Sequence, residues 1–214
     1  MANKMMTLKG NAMWAKVFEP DTKFDPNGIY TINLQLPEEE AAQMCEQLEQ
    51  LAQERFNQEV KRKPALKNTL SMSTPVNPVY DRDTGDATGD VEFKFKLKAK
   101  INTKAGDVYD QKVAVFDAKR KPIDGGVNIG NGSTVKVAFE PIPYMMSATK
   151  TVGVSLRLKA VQVIDLVEYS NSSSIFDEED GYEATTAEVT PIRKEETPFD
   201  DDGLQGALAA DGDF

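Results

Sequence analysis

Four lysines at alternate positions, Lys94, Lys96, Lys98 and Lys100, are the group in this chain best placed to do chemistry together. In an extended strand alternate side chains share a face, about 6.6 Å apart. Such a row repels itself, and an anion of repeating charge such as a polyphosphate backbone relieves the repulsion. The same row also serves as a solvated face, or as protection of a sheet edge against aggregation. Lys112, the triplet Lys119-Arg120-Lys121, Arg157 and Lys159 add further cations. Trp14, Phe18, Tyr80, Tyr109 and Tyr144 are the aromatics outside clear core positions, and aromatics stack on bases at about 1–3 kcal/mol each. The alternation Trp14-Lys16-Phe18 would set stacking beside phosphate pairing on one strand face. The competing reading puts Trp14 and Phe18 in the core.

Other chemistries lack their residues. There is no histidine, which removes the commonest general base and metal ligand. The single cysteine, Cys45, cannot close an internal disulfide or supply a zinc set. Asp81 and Asp83, with Glu92 at the twelfth position, resemble the start of a calcium loop. But Gly85 and Asp86 stand in reversed order and a strand follows, so the run Asp81 to Asp90 reads as a turn-forming loop. Gly125 to Gly132 lacks the Lys-Ser/Thr ending of a phosphate loop and reads as turn geometry. A carboxylate-metal nuclease would need acids clustered on rigid elements. Neither metal nor cofactor is expected, and no catalysis.

Stepping out from these residues, hydrophobic periodicity supplies the elements. Strands are expected over 13–19 and 29–36, the second with Tyr30, Ile32, Leu34 and Leu36 inward. A helix follows over 37–63. Glu38-Glu39-Glu40 suit its positive end, Lys61-Arg62-Lys63 its negative end, and Pro64 stops it. Ala41, Met44, Cys45, Leu48, Leu51, Ala52, Phe56 and Val60 form its apolar stripe. Residues 64–90 read as loop. The lysine strand spans 91–101, with Val91, Phe93, Phe95, Leu97, Ala99 and Ile101 inward. Strands over 111–117 and 133–139 follow, and Pro141 to Met146 breaks the second and presents Tyr144 in a loop. The last strand, 152–167, changes phase after Leu158, which implies a bulge near Ala160. Six strands with one helix after the second argue for a mainly β fold, a barrel or a sandwich, and cations on the faces opposite the apolar ones favour an OB-fold-like β-barrel with an inserted helix.

Charge divides the chain. Residues 177–214 hold 13 acidic and 2 basic groups, leaving 22 acidic and 23 basic groups in 1–176. A nucleic-acid-binding domain over 1–176 and a disordered acidic tail over 177–214 are therefore expected. No run of 18 apolar residues marks a membrane span, and residues 1–15 lack the apolar stretch of a secretory signal.

Met13-Trp-Ala-Lys-Val-Phe18 early and Gly153-Val-Ser-Leu-Arg-Leu-Lys-Ala-Val-Gln-Val163 late resemble the single-stranded-DNA-binding proteins of tailed phages. The ending Asp211-Gly-Asp-Phe214, echoed by Phe199-Asp-Asp-Asp202, is similar to the acidic, aromatic-terminated tails of that class. The resemblance covers nearly the whole chain. The insert Gly203 to Ala210 departs from the pattern and leaves open which part of the tail a partner reads. The resemblance implies an OB fold and sequence-tolerant binding of single-stranded DNA in replication, recombination and repair. It implies a cytoplasmic place in the infected host cell. It also implies recruitment of DNA polymerase, helicase-primase or nuclease through Asp200, Asp201, Asp202, Asp211, Asp213 and Phe214. Self-association through edge strands is a further expectation, and so is partial screening of the DNA site by the tail. The rival readings are a structural or assembly protein of the phage particle and an acidic mimic of DNA.

Overall fold

A computed structural model describes residues 4–103, 106–125 and 127–168. The tail, with its expected disorder, its 176/177 boundary and its partner-binding residues, lies outside them.

Eleven strands and one long helix make up this region. In chain order they are β1 (Met5–Met6), β2 (Gly10–Asp21), β3 (Ile29–Pro37), α1 (Glu38–Arg62), β4 (Ser71–Ser73), β5 (Val76–Tyr80) and β6 (Ala87–Lys98). There follow β7 (Lys100–Asn102), β8 (Val108–Asp110), β9 (Ala114–Phe116), β10 (Thr134–Met146) and β11 (Thr151–Asp165). Pairing runs β10-β2-β3-β6-β11, and β11 pairs back with β10. Five strands thus form a ring, each of them a strand expected from periodicity.

The ring forms because each of these strands alternates apolar and polar residues. Tyr30, Ile32, Leu34 and Leu36 of β3 face Val91, Phe93, Phe95 and Leu97 of β6, and all are buried. Val135, Val137 and Phe139 of β10 and Val154, Leu156, Leu158, Val161 and Val163 of β11 complete the interior. Phe95 and Phe139 meet at 5.0 Å between ring centroids, tilted by 55°. The phase change in β11 is a bulge. Leu158 pairs with Phe139 and Ala160 with Ala138, which leaves Lys159 as the extra residue.

The helix matches its expected span to within a residue at each end. Pro37 takes the N-cap position, with acids in the first turn and Lys61 and Arg62 in the last. Ala41, Leu48 and Ala52 are buried, and α1 packs on β3, β4, β6, β10 and β11. One charged residue joins them: Glu59 is buried, its carboxylate 2.7 Å from Arg55 and 4.0 Å from Arg62. An i,i+4 guanidinium offsets part of the cost of burying that charge.

Several expectations are corrected. Residues 64–90 are not all loop: Pro64–Leu66 is a 3-10 turn, β4 pairs with β11, and β5 forms a hairpin with β6, which begins at Ala87. The loop narrows to Asp81–Asp86, where the Asp81 carboxylate accepts the N–H of Asp83 and Thr84. Those bonds hold its carboxyl below the usual range. The lysine strand breaks after Lys98: the Ala99 N–H still reaches Gly28, just ahead of β3, but its carbonyl accepts the Gln111 N–H. Lys100 and Ile101 belong to a separate two-stranded hairpin, and Ile101 is exposed rather than inward. The 111–117 strand shortens to β9, with Val113 and Val115 buried. Finally, β10 continues through Pro141 and Pro143 to Met146. Beyond Phe139 only β11 pairs with it among the described residues, and an edge strand tolerates proline.

Candidate nucleic-acid interface

The core-facing alternation dictates where the charged residues go. Since Phe93, Phe95 and Leu97 point inward, Lys94, Lys96 and Lys98 stand exposed on the outer face of β6. Arg157, between buried Leu156 and Leu158, stands on the outer face of β11. Cross-strand register aligns them. Lys16 pairs with Thr31, Thr31 with Lys96, Lys96 with Arg157, and Arg157 with Glu140. One row across β2, β3, β6, β11 and β10 therefore carries three cations and one carboxylate. At about 4.8 Å per strand the row measures roughly 19 Å along the sheet. Lys94 and Lys98 extend it at right angles, in register with Asn33 and Ile29.

Beside this crossing lies an open groove of about 320 Å³. Lys96, Lys98 and Arg157 supply its cations, and Ile29, Ile101 and Ile142 its apolar surface. Gln111 closes one side, donating from Nε2 to the Lys98 carbonyl (3.2 Å) and from its backbone to Ala99 (2.7 Å). Cations beside apolar surface suit a ligand with phosphates on one side and ring faces on the other.

Carboxylates already engage part of the row. Lys16 lies 2.6 Å from Asp21. That bond, with the Lys23 backbone N–H, holds the Asp21 carboxyl below the usual range. Glu140, mostly buried, lies 3.6 Å from Arg157 and 3.1 Å from Lys159. Glu92 accepts from Asn33 and Gln35, so it is tied to β3 and not to the lysines. Lys94, Lys96 and Lys98 have no ion-pair partner among the described residues.

The aromatics scatter. Trp14 is 53% exposed, which decides against its place in the core. The cause is a bulge: Met13 pairs with Asn33 but Lys16 with Thr31, so β2 carries one extra residue. Ala12 is buried before the bulge and Val17 after it, and Trp14 is turned outward between them. It takes φ +52°, a left-handed conformation that costs a residue with a Cβ about 1–2 kcal/mol. Phe18 is half-buried and packs on the core. Tyr109, exposed, pairs in register with the groove residue Ile101. Tyr80, also exposed, sits at the far end of β5, away from the groove. Tyr144 is not in a loop: it lies in β10 opposite Gly153, so close that a Cβ there would stand 2.7 Å from its hydroxyl.

The remaining cations are not gathered at the groove. Lys112 is exposed ahead of β9. The Lys119-Arg120-Lys121 triplet forms a turn capped by Asp117, which accepts the N–H of Lys119 (2.8 Å) and Lys121 (2.7 Å). It follows β9, which pairs with β11 at Ala160–Gln162, past the row at Arg157. Periodicity also missed Phe24, which is 87% exposed on the β2–β3 connection with the Lys23 ammonium 5.3 Å from its ring centroid. Its signal was there to read, an aromatic within the turn-rich run Pro20 to Gly28.

The family model described as single-stranded DNA-binding protein, bacteriophage T7, matches residues 10–166. The chain belongs to that family. It is 26% identical over 204 residues to the single-stranded DNA-binding protein of Escherichia phage T7, covering 89% of this chain and 86% of that one. The counterpart from Enterobacteria phage T3 is 25% identical over 199 residues, covering 83% and 84%. In three dimensions the chain is similar to gp2.5, a single-stranded DNA-binding protein encoded by bacteriophage T7. The TM-score is 0.66 at 24% identity, over 86% of this chain and 100% of that one. The ring with its single helix is thus the OB-like architecture of this phage family. No helix among the described residues is long and apolar enough to cross a membrane.

Proposed function

We propose that this protein binds single-stranded DNA without sequence preference during phage DNA replication, recombination and repair. The observation that carries the reading is the cation row on the outer face of the ring, crossing β6 beside an apolar groove. Lys16, Lys94, Lys96, Lys98 and Arg157 pair with phosphates and release counterions. Trp14, two residues before Lys16 in β2, and Tyr109, opposite the groove residue Ile101, stack on bases in a sequence-tolerant way. Phe24 joins them from the β2–β3 connection. Lys100, Lys112, Lys119, Arg120, Lys121 and Lys159 extend the positive field rather than the groove. Membership of a family of binding proteins supports a role without catalysis. The acidic tail recruits replication partners such as a polymerase, helicase-primase or nuclease, through Asp200–Asp202 and Asp211 to Phe214.

Fluorescence anisotropy of labelled oligo-dT and of a duplex, each at two salt concentrations, tests the reading. Oligo-dT binds more tightly than the duplex, and log K falls with log salt at a slope of roughly −3 to −4 for about four to six paired phosphates. Absence of binding at low salt rejects the reading, and equal affinity for the duplex rejects its single-strand preference.

A further inference from the structure

The bulge that turns Trp14 outward does not hold itself. A residue with a Cβ disfavours the left-handed conformation, and tryptophan has no small polar side chain to stabilise it locally. The support comes from 117 residues away, where the side-chain oxygen of Asn131, Oδ1, accepts the Trp14 backbone N–H at 2.8 Å. Asn131 sits in a turn tied down on both sides. The Ala12 N–H donates to the Ser133 carbonyl (2.8 Å) and the Gly132 N–H to the Ala12 carbonyl (3.0 Å), which fastens the turn to β2 two residues before Trp14. Gly130 donates to the Val167 carbonyl (2.7 Å), which fastens it beyond the end of β11. The Ser133 hydroxyl, fully buried, donates to the Gly130 carbonyl (2.8 Å) and accepts the Val167 N–H (3.0 Å). Gly132, at φ +88°, supplies the left-handed step that the turn needs.

We infer that Asn131 is a positioning residue for DNA binding: it holds the Trp14 backbone in its left-handed bulge and so presents the indole, already ordered, to a base. This inference rests on the reading that Trp14 stacks on single-stranded DNA. Preorganisation of this kind removes an ordering cost from the binding step. It adds no charge at the phosphates, so its loss weakens binding without altering the salt dependence.

The chain has one tryptophan, so intrinsic fluorescence reports Trp14 alone. The test compares the full chain with Asn131→Ala and Asn131→Asp, the latter keeping an acceptor oxygen. Three quantities are read: quenching of the free protein by the neutral quencher acrylamide, the emission change on adding oligo-dT, and affinity at two salt concentrations. Asn131→Ala is expected to alter acrylamide quenching, shrink the emission change and weaken binding about fivefold, as for one lost neutral hydrogen bond. Its salt slope stays at the wild-type value. Asn131→Asp keeps wild-type acrylamide quenching. Should the alanine variant not fold, hydrogen exchange of the wild-type Trp14 amide decides: slow exchange supports the hold and fast exchange overturns it. Wild-type affinity and emission change in Asn131→Ala overturn this inference alone. Absence of any emission change in the wild type overturns the stacking reading, and this inference with it.

Discussion

At the scale of single residues, environment decides what each charged or reactive group can do. Lys94, Lys96 and Lys98 look alike in sequence and also share exposure. Replacing all three with alanine removes three phosphate partners and leaves the buried face of β6 intact. Oligo-dT affinity is expected to fall and the salt slope to flatten by about two. Anisotropy at a series of salt concentrations measures both, and unchanged binding would return these lysines to the role of a solvated face. Cys45 illustrates the opposite case. Burial, then the nearby Glu49 and Glu38 carboxylates, push its thiol above the ordinary range. A raised acid pKa means less thiolate at any pH below it, so alkylation by iodoacetamide at pH 8 is expected to be slow in the folded protein. Unfolding in urea lowers the pKa and speeds the reaction. Equal rates in the two states would show that the helix does not shield this thiol.

At the scale of elements, α1 and the ring stabilise each other through few residues. Leu48 is fully buried at the middle of the helix's inward face. Leu48→Ala leaves a cavity there and is expected to cost about 2–5 kcal/mol, readable as a lower urea midpoint with unchanged slope. A loss under 1 kcal/mol would mean that the helix is not integral to the folded unit. The elements also show what periodicity can and cannot reveal. The five ring strands and the helix were legible because each carries apolar residues at the spacing of one buried face. β4, β5, β7 and β8 were not, since their residues are mostly exposed and lack an inward stripe. Tyr144 was misread as loop because two prolines usually end a strand, and only the unpaired edge of β10 lets it continue.

At the scale of the whole chain, charge is divided along the sequence rather than balanced within it. Residues 177–214 contribute a net of about −11 to a protein whose total is −10. Long-range repulsion between that segment and DNA opposes binding and is screened by salt. Deleting 177–214 is therefore expected to raise oligo-dT affinity severalfold at low salt and hardly at all at high salt. On the function proposed above, it should also abolish recruitment of partners. Titration of the truncated and full-length proteins in parallel checks the first expectation, and equal affinity at low salt would leave the tail as a handle only.

The outline of this protein was determined by sequence alone. Alternation placed the core of β3, β6, β10 and β11, a 3.6-residue stripe placed the helix, and a phase slip placed a bulge near Ala160. These are local patterns, set by which neighbours along the chain share a face. Tertiary structure decided which side chains meet. Lys16 reaches the level of Lys96 and Arg157 through three registers between strands distant in sequence. Glu140 finds Arg157 and Lys159 only because β10 folds back on β11. The exposed Trp14 depends on one extra residue in β2 and on an asparagine 117 residues away. Register and long-range hydrogen bonds arise between segments, so no window along the chain contains them. The lysine row along β6 is one arm of a cross, and the other arm is assembled from strands that only the ring brings side by side.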